Sequence, residues 1–213
     1  MFVDKADITV TGGNGGHGCC SFHREKYIPL GGPDGGDGGD GGDVVLVASK
    51  NEQSLQDLVY NRHYAGKNGP HGKGSNMHGR RGEDVFVKVP VGTVVTDGDT
   101  GEFIVDMTED GMKFVIAKGG KGGRGNVRFA TKYNRAPHER ELGEEGETVH
   151  AHLELKTIAD VGLVGFPNVG KSTILSKTTN AKPKIANYHF TTLAPNIGVV
   201  SGYGESFVMA DIP

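Results

Sequence analysis

Residues 165–172 have the sequence Gly-Phe-Pro-Asn-Val-Gly-Lys-Ser, which matches the pattern GxxxxGK[ST] of a phosphate-binding loop. Glycines let the backbone of such a loop curl so that successive N–H groups point into one cavity, and the N-terminus of the following helix adds partial positive charge. Lys171 is then predicted to reach the terminal phosphates of a nucleoside triphosphate, and Ser172 to place its hydroxyl on Mg²⁺. The predicted nucleotide contacts in this region are Gly165, Phe166, Pro167, Asn168, Val169, Gly170, Lys171, Ser172 and Thr173.

A pair of threonines and a carboxylate follow the loop. The apolar stretch 207–210 ends at Asp211, the arrangement expected of an acid that reaches Mg²⁺ directly or through water. Thr191 and Thr192 lie between the loop and Asp211, and a hydroxyl there could close on Mg²⁺ and the γ-phosphate as a switch. The alternative is that the threonines are only strand-forming residues.

The segments around the loop predict the beginning of an α/β domain. Residues 161–164 are a near-continuous apolar run, as expected of a parallel strand buried on both faces. A helix is predicted at residues 171–179, followed by strands at 197–201 and 207–210. A second glycine pattern, GxGxxG at residues 120–125, is not followed by a helical segment and therefore does not predict a dinucleotide site.

The chain before residue 157 is predicted to form an all-β barrel or sandwich. The only helix predicted there is short, at residues 53–60. Asp-Gly at 97–98, Thr-Gly at 100–101 and Asp-Gly at 110–111 are typical of hairpin turns. Strands are predicted at residues 44–48, 84–89, 93–96, 103–106, 113–118 and 149–155.

Glycine is the main anomaly of the composition, with 36 residues in a chain of 213. In the run at residues 31–43, aspartate recurs at every third position, a period that fits neither a helix nor a strand. It does fit polyproline II, which has three residues per turn and no internal hydrogen bonds. Packed polyproline II helices are therefore predicted, and a flexible glycine-rich linker is the alternative.

The overall charge and the cysteine content limit the classes of protein to which this chain can belong. A formal net charge of −3 does not mark the whole chain as a nucleic-acid binder. The only cysteines are the adjacent Cys19 and Cys20, which indicates a reducing compartment. No signal core is present, and no stretch approaches the roughly 20 apolar residues that span a bilayer. A cytoplasmic protein is expected.

Positive charge is nevertheless concentrated in two regions. Residues 62–81 contain lysines and arginines but no acid. Residues 118–140 contain several lysines and arginines and only one acid, Glu139. Phe129 and Tyr133 add aromatic rings. Long basic loops on a β-scaffold suit a phosphate backbone, and rings can stack on unpaired bases. RNA binding is predicted, with simply solvated loops as the alternative.

Together these features resemble the Obg family of ribosome-associated GTPases over essentially the whole chain. The segments that carry the resemblance are residues 1–4, 24–27, 31–43, 119–126, 159–165, 190–192 and 211–213. The resemblance implies a multidomain protein. A mainly-β Obg domain at residues 1–157, built from glycine-rich polyproline II helices and a small β-barrel, would precede the incomplete N-terminal part of an α/β P-loop GTPase domain at residues 158–213.

The resemblance also implies a monomeric GTPase that binds the large ribosomal subunit during its late maturation, with the nucleotide state controlling association. Its ligands would be GTP and GDP, with guanosine tetraphosphate as a further one. The basic loops would contact rRNA near the peptidyl-transferase centre. The residues assigned to RNA are Arg24, Lys26, Lys67, Lys73, Arg80, Arg81, Lys121, Arg124, Arg128, Lys132 and Arg135.

In the GTPase part, the resemblance assigns Mg²⁺ to Ser172, Thr192 and Asp211. The predicted catalytic residues are Lys171, Thr192 and Asn168. The amide oxygen of Asn168 would help bind K⁺ beside the oxygen that bridges the β- and γ-phosphates, unless this residue only tolerates the curled backbone. The first switch would contain Phe190, Thr191, Thr192, Leu193 and Ala194, and the second would begin with Asp211, Ile212 and Pro213.

The sequence departs from the family pattern because it ends before the Asn-Lys-x-Asp motif that recognises guanine. The prediction that the protein recognises guanine therefore depends on the resemblance alone, and ATP remains an alternative nucleotide. This piece of the domain alone is expected to hydrolyse little GTP. A non-catalytic RNA-docking module is the alternative function.

Overall fold

The computed structural model describes residues 3–24, 26, 31–156, 161–166, 170–179, 184–185, 196–202 and 205–211. The chain divides into two compact units, Lys5–Leu155 and the combination of Met1–Asp4 with Lys156–Pro213. The boundary predicted from the sequence lies between residues 157 and 158. The two units are described separately.

The described residues of the first unit form short β-strands, one short α-helix, α1 (Gln56–Tyr60), and one 3₁₀ helix (Asn126–Phe129). The strands are β1 (Lys5–Thr11), β2 (Val44–Ser49), β3 (His63–Ala65), β4 (Val85–Pro90), β5 (Thr93–Asp97), β6 (Phe103–Met107), β7 (Lys113–Ala117) and β8 (Thr148–Leu155). β1 illustrates why such strands form, because Ala6, Ile8 and Val10 are buried and alternate with more exposed residues.

The strands form a five-stranded sheet, ordered β3-β1-β8-β5-β6, and a three-stranded sheet, ordered β4-β2-β7. β1 pairs with β8 along its whole length, from Lys5↔Glu154 to Thr11↔Thr148. The inward side chains of both sheets and of α1 supply the buried apolar core. We call the two sheets with α1 the barrel. The mainly-β architecture predicted from the sequence is confirmed.

Long connections between the strands form a bundle of extended segments. The connections β1 to β2, β3 to β4 and β7 to β8 each run outward from the end of one strand and return to the start of the next. The bundle comprises residues 12–21, 31–43, 66–74, 77–84, 118–126 and 139–147.

Hydrogen bonds between these segments repeat at every third residue. The N–H groups of residues 12–21 donate to the carbonyls of residues 31–43 in the pairs Gly13–Gly42, Gly16–Gly39 and Cys19–Gly36, at 2.8, 2.8 and 2.9 Å. This repeat is the periodicity of polyproline II, which forms no internal hydrogen bonds and therefore depends on its neighbours. The prediction of packed polyproline II helices is confirmed, and the alternative of a flexible linker is wrong.

Glycine is required where the segments touch. A Cβ atom built on Gly39 would lie 1.8 Å from the carbonyl oxygen of Arg80, and one on Gly41 would lie 1.8 Å from that of Gly13. Contacts this short leave no space for any side chain. The high glycine content is therefore a consequence of backbone-to-backbone packing.

The aspartates of the run at residues 31–43 satisfy N–H groups of a neighbouring segment. The donor–acceptor pairs are Gly119–Asp43, Gly122–Asp40 and Gly125–Asp37, at 2.7, 2.7 and 2.8 Å. The second carboxylate oxygen of Asp37 accepts two hydrogen bonds from the Arg128 guanidinium, at 3.0 and 2.9 Å. Burial raises the pKa of Asp37, but the Gly125 N–H and Arg128 outweigh burial and hold it below its ordinary value.

The second unit contains a four-stranded sheet, ordered β10-β11-β12-β9, and the helix α2 (Lys171–Thr178). The strands are β9 (Val161–Leu163), β10 (Lys184–Ile185), β11 (Asn196–Gly202) and β12 (Glu205–Asp211). β12 runs parallel to β9 and antiparallel to β11. The predicted strand at 161–164, the helix and the strands at 197–201 and 207–210 are found, and the short strand β10 was not predicted.

Two expectations about local structure were wrong. Residues 161–164 were expected to be buried on both faces, yet Val161 is 41% and Val164 is 81% exposed, because β9 is an edge strand of the described sheet. Gly111 was expected in a hairpin, but β6 and β7 belong to different sheets. Its N–H instead donates to the carbonyl of Ala48 at 2.9 Å, and its φ is +78°.

Candidate functional site

Helix α2 begins at the end of the glycine loop. Gly170 has φ of +96°, a conformation that favours glycine, and its carbonyl accepts the first helical hydrogen bond from Ile174 at 2.9 Å. The helix is anchored by the buried Leu175. At its C-terminal end, Thr179 occupies the space that a side chain at Gly198 of β11 would need. The free N–H groups at the start of α2 therefore sit beside the loop, as phosphate binding requires.

The side chain of Lys171 turns back over this loop. Its Nζ donates to the carbonyl oxygens of Gly165 at 2.6 Å and Phe166 at 3.1 Å. The ammonium group is thus held at the loop rather than directed away from it. Phosphate oxygens would compete for the same donor.

Ser172 and Asp211 are brought together by the sheet. Asp211 ends β12 opposite Leu163 of the parallel strand β9, so the carboxylate lies at the edge where the glycine loop starts. The Ser172 hydroxyl donates to Asp211 Oδ2 at 2.5 Å. The chemistry of this pair was predicted from the sequence, and its proximity is now seen in the structure.

The residues present fit a magnesium ion. Asp211 is 7% exposed, and its Oδ1 has no hydrogen-bond partner among the described residues. A buried carboxylate oxygen without a partner is unfavourable unless a cation or a water bound to one satisfies it. A hydroxyl and a carboxylate are also the oxygen ligands that Mg²⁺ accepts.

Other predicted nucleotide contacts lie outside the described residues. They are Pro167, Asn168, Val169, Phe190, Thr191, Thr192, Leu193, Ala194, Ile212 and Pro213. Gly165, Phe166, Gly170 and Thr173 are described and lie at or beside the loop.

The basic residues assigned to RNA are all exposed on the bundle or on its outer connections. Several are held by carboxylates of the bundle itself. The ion pairs are Arg81–Asp43, Arg128–Asp37, Lys67–Glu83 and Arg124–Glu141, at 2.6, 2.9, 3.5 and 3.7 Å. Within the described part of the chain, no ion pair is found for Lys73, Arg80, Lys121 or Arg135.

Of these basic residues, Lys67, Arg81 and Lys121 lie at the level of residues 40–43, close to the barrel. Lys73 and Arg128 lie at the level of residues 36–37, towards the bundle end remote from the barrel, which we call the distal end.

Tyr133 is 93% exposed, and Lys132 Nζ lies 5.9 Å from the centroid of its ring. Met77, which sequence reasoning did not single out, is 54% exposed. A lone methionine in a glycine-rich stretch carries no signal of its own.

Comparison with known proteins gives the family of the chain. Residues 3–157 match the family described as GTP1/OBG, and residues 160–213 match the one described as 50S ribosome-binding GTPase. The chain belongs to the GTP1/OBG family. Its relatives include proteins named GTPase Obg from Desulfitobacterium hafniense, Heliobacterium modesticaldum and Persephonella marina, at 60%, 58% and 55% identity over 100% of this chain. The resemblance inferred from the sequence is confirmed.

The chain spans about half the length of the curated relatives it matches: 50%, 48% and 63% of these proteins. In the described part of the chain, no helix has the length and apolar character needed to cross a membrane.

Proposed function

We propose that the protein binds and hydrolyses GTP and that it associates with the large ribosomal subunit through the exposed basic residues of its bundle. The proposal that the protein binds GTP rests on one observation. Lys171, Ser172 and Asp211 lie together at the start of α2, and the Oδ1 atom of Asp211 has no hydrogen-bond partner among the described residues. The names of the relatives and of the matching families support guanine as the base and the large subunit as the partner.

The chemistry proposed for the nucleotide unit is phosphoryl transfer to water. Lys171 exchanges its carbonyl partners for phosphate oxygens and offsets the charge that develops during hydrolysis. The N–H groups at the start of α2 hold the phosphates in place. Ser172 and Asp211 would hold Mg²⁺, which supplies charge compensation and orientation of the phosphates when bound. We propose Thr192 as a third ligand and Asn168 as a contributor to a K⁺ site.

The bundle would supply the affinity for RNA. Some basic residues, such as Arg80 and Lys121, have no carboxylate partner in the described structure. Such residues can contact the phosphate backbone of RNA and displace the counterions bound to it. Arg81 and Arg128 are engaged within the bundle, so reversing their charge would disturb the fold as well as any contact with RNA. We propose that the subunit is bound during its late maturation, near the peptidyl-transferase centre, under control of the nucleotide.

The nucleotide assignment is tested in the full-length gene product with Lys171→Ala and the matched control Lys177→Ala, an exposed lysine of the same helix. We expect loss of GTP binding in the first variant only, with the calorimetric unfolding transition of the Lys5–Leu155 unit unchanged. GTP binding by Lys171→Ala at the wild-type level would refute the assignment. ATP binding in preference to GTP would instead select the alternative nucleotide.

The RNA assignment is tested with the double variant Arg80→Ala/Lys121→Ala, and Lys50→Ala in the barrel serves as the control. Removing two phosphate contacts should reduce the salt dependence of binding to large subunits by about one unit of slope per contact. An unchanged slope would show that these side chains face solvent in the complex.

A further inference from the structure

Two histidines in the middle of the bundle join three of its segments. The His17 N–H donates to His71 Nδ1 at 2.8 Å, which joins segment 12–21 to segment 66–74. The Gly143 N–H donates to His17 Nδ1 at 3.0 Å, which adds the segment that contains Gly143. The two imidazole rings are stacked, with their centroids 4.6 Å apart. Both Nδ1 atoms are therefore acceptors of backbone hydrogen bonds.

The same arrangement occurs one repeat away with asparagines in place of the histidines. The Asn14 N–H donates to Asn68 Oδ1 at 2.8 Å, and the Gly146 N–H donates to Asn14 Oδ1 at 2.9 Å. Each of these residues lies three positions from its counterpart, which is the period of polyproline II. We call the two sets the histidine level (His17, His71 and Gly143) and the asparagine level (Asn14, Asn68 and Gly146). An amide oxygen accepts hydrogen bonds whatever the pH, whereas an imidazole nitrogen accepts only while it is unprotonated.

Protonation would break both hydrogen bonds of the histidine level. A neutral imidazole carries one proton, and because Nδ1 accepts in both residues, that proton must lie on Nε2. A second proton can bind only to Nδ1, where it turns the acceptor into a donor that points at another donor. Two cations whose ring centroids are 4.6 Å apart would also repel each other. The unfolded chain takes up protons that the folded bundle excludes, so stability should rise with pH across the range in which imidazole titrates.

The charges around the histidine level offer no excess of negative charge to stabilise a cation there. Among the described residues, neither His17 nor His71 forms an ion pair. Five acids lie within one repeat of the level on the segments packed against it, namely Asp37, Asp40, Glu141, Glu144 and Glu145. The lysines and arginines in the same positions are also five, namely Lys73, Arg80, Lys121, Arg124 and Arg140.

His78 is the other titratable group beside this level, and its surroundings differ. Its Nδ1 accepts a hydrogen bond from the Asp37 N–H at 3.0 Å, but Asp37 Oδ2 lies 3.4 Å from the same nitrogen. A positively charged His78 would lose the hydrogen bond and gain attraction to the carboxylate, so the two effects oppose each other. His78 is therefore not expected to make the bundle sensitive to pH.

We propose that His17 and His71 form a pH-sensitive join in the bundle. While both imidazoles are neutral, the pair holds three segments together. As pH falls through the range of about 8 to 5, protonation releases the N–H groups of His17 and Gly143. Backbone hydrogen bonds, such as that from the Gly72 N–H to the His17 carbonyl at 2.9 Å, then hold this level alone. The histidine level loosens while the asparagine level stays closed, with or without nucleotide or RNA.

The first test is calorimetry of the full-length protein between about pH 8 and about pH 5.5, above the pH at which Asp37 contributes. The double variant His17→Asn/His71→Asn repeats the asparagine level. Asparagine Oδ1 and histidine Nδ1 are both one bond beyond Cγ, so the variant keeps both acceptors and loses the titrating groups. Over this window, the melting temperature of the Lys5–Leu155 unit should fall by roughly 4–8 °C more in wild type than in the variant, as for loss of two hydrogen bonds.

His63→Asn is the matched control, because His63 is an exposed histidine of β3 in the barrel. Its melting temperature should depend on pH as that of wild type does. The same pH dependence in wild type and in His17→Asn/His71→Asn would overturn the proposal.

Nuclear magnetic resonance tests the hydrogen bonds in the wild-type protein, so the proposal stays testable even if the double variant does not fold. In nitrogen-labelled protein, an N–H···N hydrogen bond gives a scalar coupling between its two nitrogens. We expect this coupling from the Gly143 nitrogen to His17 Nδ1, and from the His17 backbone nitrogen to His71 Nδ1, at pH 8 and its loss near pH 5.5. The amide signals of Asn14 and Gly146 should not change. Coupling that persists at the lower pH, or a proton on either Nδ1 at the higher pH, would show that the histidines are not the switch.

Discussion

The substitution Gly39→Ala examines the packing of the bundle most sharply. The new Cβ would lie 1.8 Å from the Arg80 carbonyl oxygen, whereas ordinary contacts begin at 3.4 Å. The neighbouring segment would have to move by 3.4 − 1.8 = 1.6 Å. Such a shift breaks the hydrogen bonds that join the two segments, from the Gly79 N–H to the Asp37 carbonyl at 2.9 Å and from the Gly82 N–H to the Asp40 carbonyl at 2.7 Å.

The expected cost has two parts. Loss of the two hydrogen bonds contributes about 1–3 kcal/mol, and overpacking contributes about 1–3 kcal/mol. The sum of about 2–6 kcal/mol should lower the melting temperature of the Lys5–Leu155 unit by about 10 °C. Differential scanning calorimetry provides the measurement, since the bundle has no helical signal to follow.

Gly32→Ala is the matched control, because no atom of the described residues lies within 4 Å of the added Cβ and its φ is not positive. It should leave stability unchanged or raise it by about 0.4–1 kcal/mol. Equal stability of Gly39→Ala and Gly32→Ala would refute the close packing of the segments.

Further predictions concern the loss of stability at low pH and the binding of Mg²⁺ and K⁺. The folded pKa of Asp37 is depressed, so its contribution to stability is present above the unfolded pKa of about 3.9 and is lost as pH falls through the folded value. Asp37→Asn should therefore be less stable than wild type at pH 7. Calorimetry should show that the difference in unfolding free energy shrinks below about pH 4, and a difference that stays constant with pH would contradict this. Ser172→Ala should weaken Mg²⁺-dependent GTP binding by roughly tenfold to a hundredfold in a Mg²⁺ titration, whereas Ser176→Ala on the same helix should not. Subunit-stimulated GTP hydrolysis by the full-length protein should be faster in K⁺ than in Na⁺, and Asn168→Ser should lose the difference; equal rates in both ions would exclude the K⁺ site.

Periodicity and motif spacing predicted much of this structure. The three-residue repeat of aspartate at 31–43 predicted polyproline II because that period is incompatible with helix and strand, and the glycine loop with Asp211 predicted the pair that the sheet brings together. β1 was missed although Ala6, Ile8 and Val10 alternate with polar residues, the period of a half-buried strand. β3 was missed because three residues carry no period.

Long-range pairing could not be predicted. Nothing local indicates that Asp34 supports residues 75 and 76, or that Arg81 and Arg128 belong to carboxylates of the bundle, because those partners lie far away in sequence. The same limit applies to Gly111, where the sequence specifies a turn but not the sheets on either side of it.

The central claim is that nucleotide binding at Lys171 and Ser172 controls an RNA contact made by the bundle. The most direct measurement is the affinity of the full-length protein for large ribosomal subunits with a non-hydrolysable GTP analogue and with GDP. The account predicts tighter binding with the analogue, a steep salt dependence in both states, and loss of the nucleotide effect in Lys171→Ala. Equal affinity in the two nucleotide states, or binding that does not weaken with salt, would contradict it.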